Sequence, residues 1–417
     1  MSTLRTLIKN LGPGLLFASM AIGTSHLVLS TKAGAQYGWM MLLPIILANV
    51  FKYPFFEFGV RYTNITEKSL IEGYKIRGRL YLWFYALITF ITTFTILAAL
   101  YTVTAGLFIN LFKVDFLSLT WVALGLFIFI GFTLIIGQYK FMELSLKLII
   151  TILFLALLAT TVIVLFKGTV PHMPNFQPPS IFNDVGILFL ISLMGWMPTT
   201  VEASSWVSLW SIEKWKSEKN KPLLKDSLRE FNTGYFITAI LAIFFLIIGW
   251  ATLYGTQTEL SNNAVTFADQ VVQLFTTHIG PWSYIFIALS AFATMFSTCM
   301  TAHDALARVC LDILQQLKPK KRSFKHKSSF SIAIVSLALI NFLVVSIFRA
   351  NMGDLVALAT FVSFVVAPII GYMNLKNVTS AEIPQGDRPQ KWLQILTYSG
   401  IVFLAFFSIY YFWLMVF

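Results

Sequence analysis

The sequence predicts an all-α polytopic membrane protein of about eleven transmembrane helices, and three observations carry that reading. The 417 residues are 57% hydrophobic and only 12% charged, where ordinary soluble domains carry about 25% charged residues. Such a chain has more apolar surface than a water-soluble core could hide. Its apolar residues also fall into runs long enough to cross about 30 Å of hydrocarbon. Finally, basic residues crowd the connections after the second, sixth and eighth runs, as the positive-inside rule predicts for one side of the membrane.

The first run, 11–36, is interrupted by Gly23-Thr24-Ser25-His26. An unpaired peptide group in hydrocarbon costs several kcal/mol, so a helix opens there only towards a polar cavity. The second run is 38–61. The third, 80–111, is long enough to tilt or project, and 117–137 and 143–166 are expected as two separate spans. The sixth, 183–211, contains Gly195-Trp196-Met197-Pro198-Thr199-Thr200; Pro198 has no amide hydrogen and loosens the turn before it. The seventh is 231–254. An amphipathic outer helix is expected over 263–278, closed by Gly280-Pro281, and the last spans are 282–312, 329–348, 353–374 and 392–416. One transmembrane domain is expected, with a first repeat over 11–166, a second over 183–374 and an extra helix over 392–416.

Arg5 and Lys9 precede the first span. Lys68, Lys75, Arg77 and Arg79 follow the second; Lys214, Lys216, Lys219, Lys221, Lys225 and Arg229 follow the sixth; Lys318, Lys320, Lys321, Arg322, Lys325 and Lys327 follow the eighth. Opposite loops hold little beyond Lys113, Lys167 and Arg349. The N-terminus is therefore expected in the cytoplasm and the C-terminus outside, in an inner or plasma membrane. The two sets of five spans then run in opposite orientations. Because the net charge of +12 lies in loops on one side, topology explains it and nucleic acid is not an expected partner. No cleavable signal peptide is recognised at the start.

Broken helices five spans apart are the sequence mark of transporters built from inverted repeats, with the site where the breaks meet. His26 is a candidate ligand, or else a hydrogen-bonding brace for its broken helix. Thr24, Ser25, Pro198 and Thr199 are expected to support the openings. Met197 stands out from thirteen methionines by its place beside Pro198, and a thioether favours soft or borderline metals. Glu202, followed by Ser204 and Ser205, either binds a cation or caps the second half-helix. Lys52, Glu57 and Arg61 towards the inner end of the second span, and His303, Asp304 and Arg308 near the inner end of the eighth, are expected as gating or ion-pair residues. Cys299 and Cys310 lack metal-knuckle spacing and are expected to pack. Five histidines without an H-x-x-x-H cluster, a phosphate loop or a nucleophile elbow argue against an enzyme.

Gly12-Pro13-Gly14, Ala33-Gly34-Ala35-Gln36-Tyr37-Gly38, Leu47-Ala48-Asn49-Val50, Lys52-Tyr53, Ser69-Leu70-Ile71-Glu72 and Met197-Pro198 together resemble the Nramp family of divalent-metal transporters. That family has the LeuT-type fold, a five-plus-five inverted repeat with helices 1 and 6 broken. The resemblance puts the family's D-P-G-N motif on Gly23, Thr24, Ser25 and His26, so its metal-binding aspartate falls on Gly23. Its M-P-H motif becomes Met197, Pro198 and Thr199, its carbonyl ligand would come from Met194, and a second histidine falls on Ser204. The family's acidic pair in helix 3 falls on Ala98 and Tyr101. With the aspartate gone, Glu202 is expected to supply the missing charge, and His26 and Met197 nitrogen and sulfur ligands.

The implied function is secondary active transport of a divalent transition-metal ion of the Mn/Fe type by alternating access. H⁺ or Na⁺ is the candidate coupling ion, and the lipid bilayer is the other partner. No cofactor is expected, the metal being cargo. The alternatives are a Na⁺- or H⁺-coupled transporter of a small organic solute such as an amino acid, and a metal sensor that binds without transport.

Overall fold

A computed structural model describes residues 12–256, 259–318, 327–348 and 352–416, and the regular structure within them is helical. Proline at the first turn, where its missing amide costs nothing, starts α1 (Pro13–Ala21). Regular helix lapses at Ile22–Gly23 and resumes as a π-helical turn, Ser25–Ser30, that runs into α2 (Thr31–Tyr37). Gly38 turns the corner at φ +63°, a conformation that costs glycine little. A 3₁₀ turn, Gly38–Met41, then leads into α3 (Leu42–Thr66).

The connection after α3 folds into α4 (Leu70–Arg77), capped by the Ser69 hydroxyl, which accepts from the Glu72 amide at 3.0 Å. The expected third span is two helices, α5 (Arg79–Thr93) and α6 (Ile96–Phe112), divided at Phe94–Thr95. Thr92 and Thr95 donate their hydroxyls to the Ile88 and Thr92 carbonyls, and such back-bonding bends helices. The expected fourth and fifth spans form one helix, α7 (Leu119–Lys167), of 49 residues. No Gly or Pro follows Gly137 before residue 168, so nothing in the sequence ends the helix where a loop was expected. Two membrane-length apolar stretches, Leu119–Gly137 and Leu148–Lys167, lie within it.

The sixth span is two half-helices, α8 (Asp184–Trp196) and α9 (Ala203–Glu218). Then come α10 (Leu224–Leu253), the outer amphipathic α11 (Ala264–Ile279), α12 (Tyr284–Leu317), α13 (Lys327–Ile347), α14 (Met352–Val378) and α15 (Lys391–Val416). The Asn263 side chain caps α11, accepting from the Val265 and Thr266 amides. Nine stretches among the described residues are long and apolar enough to cross a membrane. The expected count was higher for two reasons: the sixth span is two halves, each too short alone, and the first two run together through the 3₁₀ turn. Arg5, Lys9, Lys320, Lys321, Arg322, Lys325 and Arg349 lie outside the described residues.

Helix 1 lies against α10 along its whole length. At its start the Gly12 and Gly14 amides donate to Glu230 Oε1 at 2.5 and 2.8 Å, a carboxylate at a helix N-terminus, where the dipole favours it. Farther on, α2 and α10 approach so closely that a Cβ on Gly34 would lie 2.0 Å from the Leu246 carbonyl oxygen, and one on Gly249 2.2 Å from that of Thr31. Small residues allow this backbone approach in membranes, where dispersion and not water exclusion holds helices together.

Candidate functional site

The two interruptions face each other. The Ser25 hydroxyl, in the π turn, lies 3.2 Å from the Pro198 carbonyl, and Thr199 donates to the Met20 thioether at 3.3 Å. Between them is a small cavity of about 20 Å³, bordered by the hydroxyl-bearing Thr24, Ser25, Thr199, Thr200 and Thr298 and by Trp196 and Trp206. Roughly 10–15 Å³ is enough for one water, so the space suits a water or a bare ion. The Met197–Pro198 peptide is cis, and Met197 is extended where α8 ends.

His26 turns away from this chamber. Its Nε2 is 2.9 Å from the Thr238 carbonyl of α10 and its Nδ1 2.7 Å from the Ser25 hydroxyl. A carbonyl only accepts, so Nε2 carries a proton, and the ring ties the π turn to α10. Gly23 has no room for a side chain: a Cβ there would stand 2.6 Å from Thr298 Cγ2 and 2.9 Å from its Oγ1. Thr298 thus takes up the space next to the position the resemblance assigned to the aspartate.

Glu202 is 2% exposed and stands immediately before α9. Its Oε2 accepts from Thr200, a chamber residue, whereas its Oε1 is buried without a hydrogen-bond partner. Thr92 is close by, but its hydroxyl donates to Ile88. Ser204 accepts from the Asn374 amide at 2.9 Å, and Ser205 pairs with the Tyr85 hydroxyl. The break in the third span therefore adjoins the break in the sixth, a neighbourhood the sequence reading missed; the Thr92-Thr93-Phe94-Thr95 run was its signal.

Lys52 belongs with the break and not with the inner pair. Its ammonium, fully buried, donates to the Met194 and Gly195 carbonyls at 2.5 and 2.8 Å, and its Nζ is 3.5 Å from that of Thr199. Met194 O is therefore already engaged. Glu57 and Arg61 do form an ion pair, which Arg61 extends to the Asp387 carbonyl at 2.7 Å.

Asp304 accepts from Arg308 and from the Trp210 indole at 2.8 Å, and Arg308 also meets Glu213 at 3.2 Å. His303 is separate from this network, with Nδ1 2.9 Å from the Tyr101 hydroxyl and Nε2 3.0 Å from the Ile334 carbonyl. The Ala98 amide donates to the Asn341 side chain at 3.1 Å. Between α14 and α15, Glu382 accepts from Lys68 at 2.7 Å, from Tyr62 at 3.1 Å and from Arg77. Partial burial pushes its carboxyl pKa up, but the Lys68 and Tyr62 hydrogen bonds and the Lys68 and Arg77 charges outweigh that and hold it below the usual value of 4.5. Cys299 is buried against the Thr104 hydroxyl at 3.0 Å, and Cys310 is partly buried. Among the described residues no three of His, Cys, Asp and Glu gather as a metal cluster.

Residues 14–414 match the model of the Natural resistance-associated macrophage protein-like family, Nramp. An uncharacterized protein of Pasteurella multocida is 32% identical over 412 residues, covering 98% of this chain and 93% of that one. Among solved structures, an Eremococcus coleocola manganese transporter superposes with a TM-score of 0.73 at 12% identity, over 97% of this chain and 86% of that one. MhsT in complex with L-phenylalanine superposes with a TM-score of 0.64 at 13% identity, over 96% and 97% of the two chains.

Proposed function

The chain belongs to the Nramp family, a family of membrane transporters, and from that premise we propose that it carries a divalent transition-metal ion of the Mn/Fe type by alternating access. The observation that carries this reading is the size and lining of the space between the two breaks: about 20 Å³, with five hydroxyl-bearing residues among the twelve that line it. An ion fits such a space and an amino acid does not. Oxygen donors suit the Mn²⁺ end of the divalent series, and thioethers the softer end.

Glu202 is the proposed counter-charge, acting on the chamber through Thr200. A charge at a helix centre costs roughly 2.5–3.5 kcal/mol on insertion scales; the Lys52 charge offsets part of that cost, and the unpartnered Oε1 leaves a place for a further cation to approach. Ser25, Thr24 and Thr199 are proposed as oxygen donors, and Met197 as a sulfur donor exposed when the halves of helix 6 shift. His26 is proposed to position Ser25. The Glu57–Arg61 and Asp304–Arg308–Glu213 groups are proposed as inner closures, broken in the inward-open state. We place the N-terminus in the cytoplasm and the C-terminus outside, in an inner or plasma membrane, with H⁺ or Na⁺ as the driving ion.

Uptake of Mn²⁺ into proteoliposomes tests this. Glu202→Gln is expected to lower the uptake rate at limiting Mn²⁺ by about ten- to a hundredfold, the equivalent of losing a charge-assisted contact of 1.5–3 kcal/mol. A second reading, a small organic solute, is favoured by Trp196 and Trp206 at the chamber border. Binding of such a solute, with no metal uptake in the wild type, would establish it in place of the first.

A further inference from the structure

A helix that ends inside a membrane leaves its last carbonyls without amide partners, and the negative end of its dipole favours a cation there. At the end of α8 that cation comes from the chain itself. The Lys52 ammonium reaches across from α3 to the Met194 and Gly195 carbonyls at 2.5 and 2.8 Å, and lies 3.5 Å from that of Thr199 within the break. One charge thus ties the end of α8 to the non-helical chain that follows it. Its electrostatic partner is Glu202, whose Oε1 is buried and unpartnered. Ammonium, three carbonyls and carboxylate make an internally neutral set, with the positive member on a tether.

We propose that Lys52 is a resident cation. Its ammonium fills a carbonyl-lined seat at the break of helix 6 that would otherwise take a small monovalent cation, so the break is held together without an ion from solution. The seat adjoins the chamber at Thr199, but Lys52 itself is not on the chamber's border, and the proposal holds whichever solute that chamber carries. Removing the side chain leaves the carbonyls open and Glu202 without its counter-charge. The seat then accepts methylammonium, which copies the lost end of the lysine, or a bare Na⁺ or K⁺.

The test is the melting temperature of the purified protein in chloride salts of Na⁺, K⁺, methylammonium and choline at equal ionic strength. Wild type is expected to melt at one temperature in all four. Lys52→Ala is expected to melt lower in choline and to regain several degrees in methylammonium, Na⁺ or K⁺, saturating with concentration as a bound ligand does. The Lys52→Ala/Glu202→Gln double variant is expected to lose that selectivity, and Lys52→Arg, which keeps the charge, to behave as wild type. If Lys52→Ala does not survive purification, Lys52→Met retains the hydrocarbon stem and carries the same comparison. Equal melting of the truncated variants in all four salts overturns the proposal, as does the same cation selectivity in wild type or Lys52→Arg. Because the readout is stability and not flux, either result leaves the metal-transport reading to its own assay.

Discussion

The contact between Gly23 and Thr298 sets up an opposition of magnitudes that a single methyl group can measure. In most helices Gly→Ala gains up to about 1 kcal/mol in propensity. Here the new Cβ would lie 2.6 Å from Thr298 Cγ2, about 0.8 Å inside the 3.4 Å at which ordinary contact begins. Thr298 cannot rotate away freely, because its hydroxyl donates to the Ser19 carbonyl at 2.9 Å and the Thr294 carbonyl at 3.0 Å. Overpacking costs about 1–3 kcal/mol, and a lost hydrogen bond about 0.5–1.5 kcal/mol. Gly23→Ala is therefore expected to destabilise by about 1–3 kcal/mol net of propensity. Thr298→Ala deletes the two nearer atoms and leaves only its Cβ, at 3.1 Å, so the double variant is expected to recover at least about 1 kcal/mol relative to additivity. Unfolding midpoints in a mixed-detergent titration give all four corners of the cycle. Additive losses, or a Gly23→Ala protein as stable as wild type, would refute the claim that Thr298 owns this space. The same cycle run with Gly23→Asp asks whether a carboxylate can be put back once the threonine is gone.

Two further outcomes concern the ion pairs of Glu382 and Asp304. Glu382 has its folded pKa lowered below 4.5, so its stabilisation is fully present above that value and is lost as pH falls through the folded one; Glu382→Gln is expected to lower the melting temperature in the neutral region and leave the acid region, where the carboxylate is already protonated, little changed, so that the acid limb of the profile flattens. Asp304→Ala strips Arg308 of one of two acidic partners and the Trp210 indole of its acceptor. Since breaking a buried pair costs about 3–5 kcal/mol, a loss near the lower bound is expected because Glu213 remains, and the drop should exceed that of Glu213→Ala in the same unfolding assay.

What the sequence disclosed was local. Pro198 announces its break because a missing amide and a ring clash act within one turn, and Gly23 with its hydroxyl neighbours does the same for helix 1. The outer helix α11 was legible through Asn263, which caps it. The short helix α4 was equally legible through Ser69 and Glu72, an S-x-x-E pattern, but was passed over as loop. The bend at Phe94–Thr95 has only threonines to signal it, and threonines sit in straight helices as well. The loop expected after Gly137 had no helix-ending residue behind it, since neither Gly nor Pro occurs between Gly137 and Gly168. The site was harder to read because its defining contacts join residues far apart in the chain. Lys52 at the Met194 carbonyl, Thr298 against Gly23 and His26 on the Thr238 carbonyl depend on how helices are placed, which periodicity does not encode.

The fastenings between helix 1 and α10 bear on what can swing. Glu230 clasps the leading amides, His26 pins the middle to Thr238, and the Gly34–Gly249 crossing locks the far end. No comparable set of three spaced anchors is needed for a helix that pivots by itself. Both halves of helix 1 are thereby mounted on α10 as a single strut, and tipping one half alone would have to tear an anchor loose. In the alternating-access reading proposed above, the movement would then fall to the opposite wall, where α8 and α9 are joined by six residues of non-helical chain.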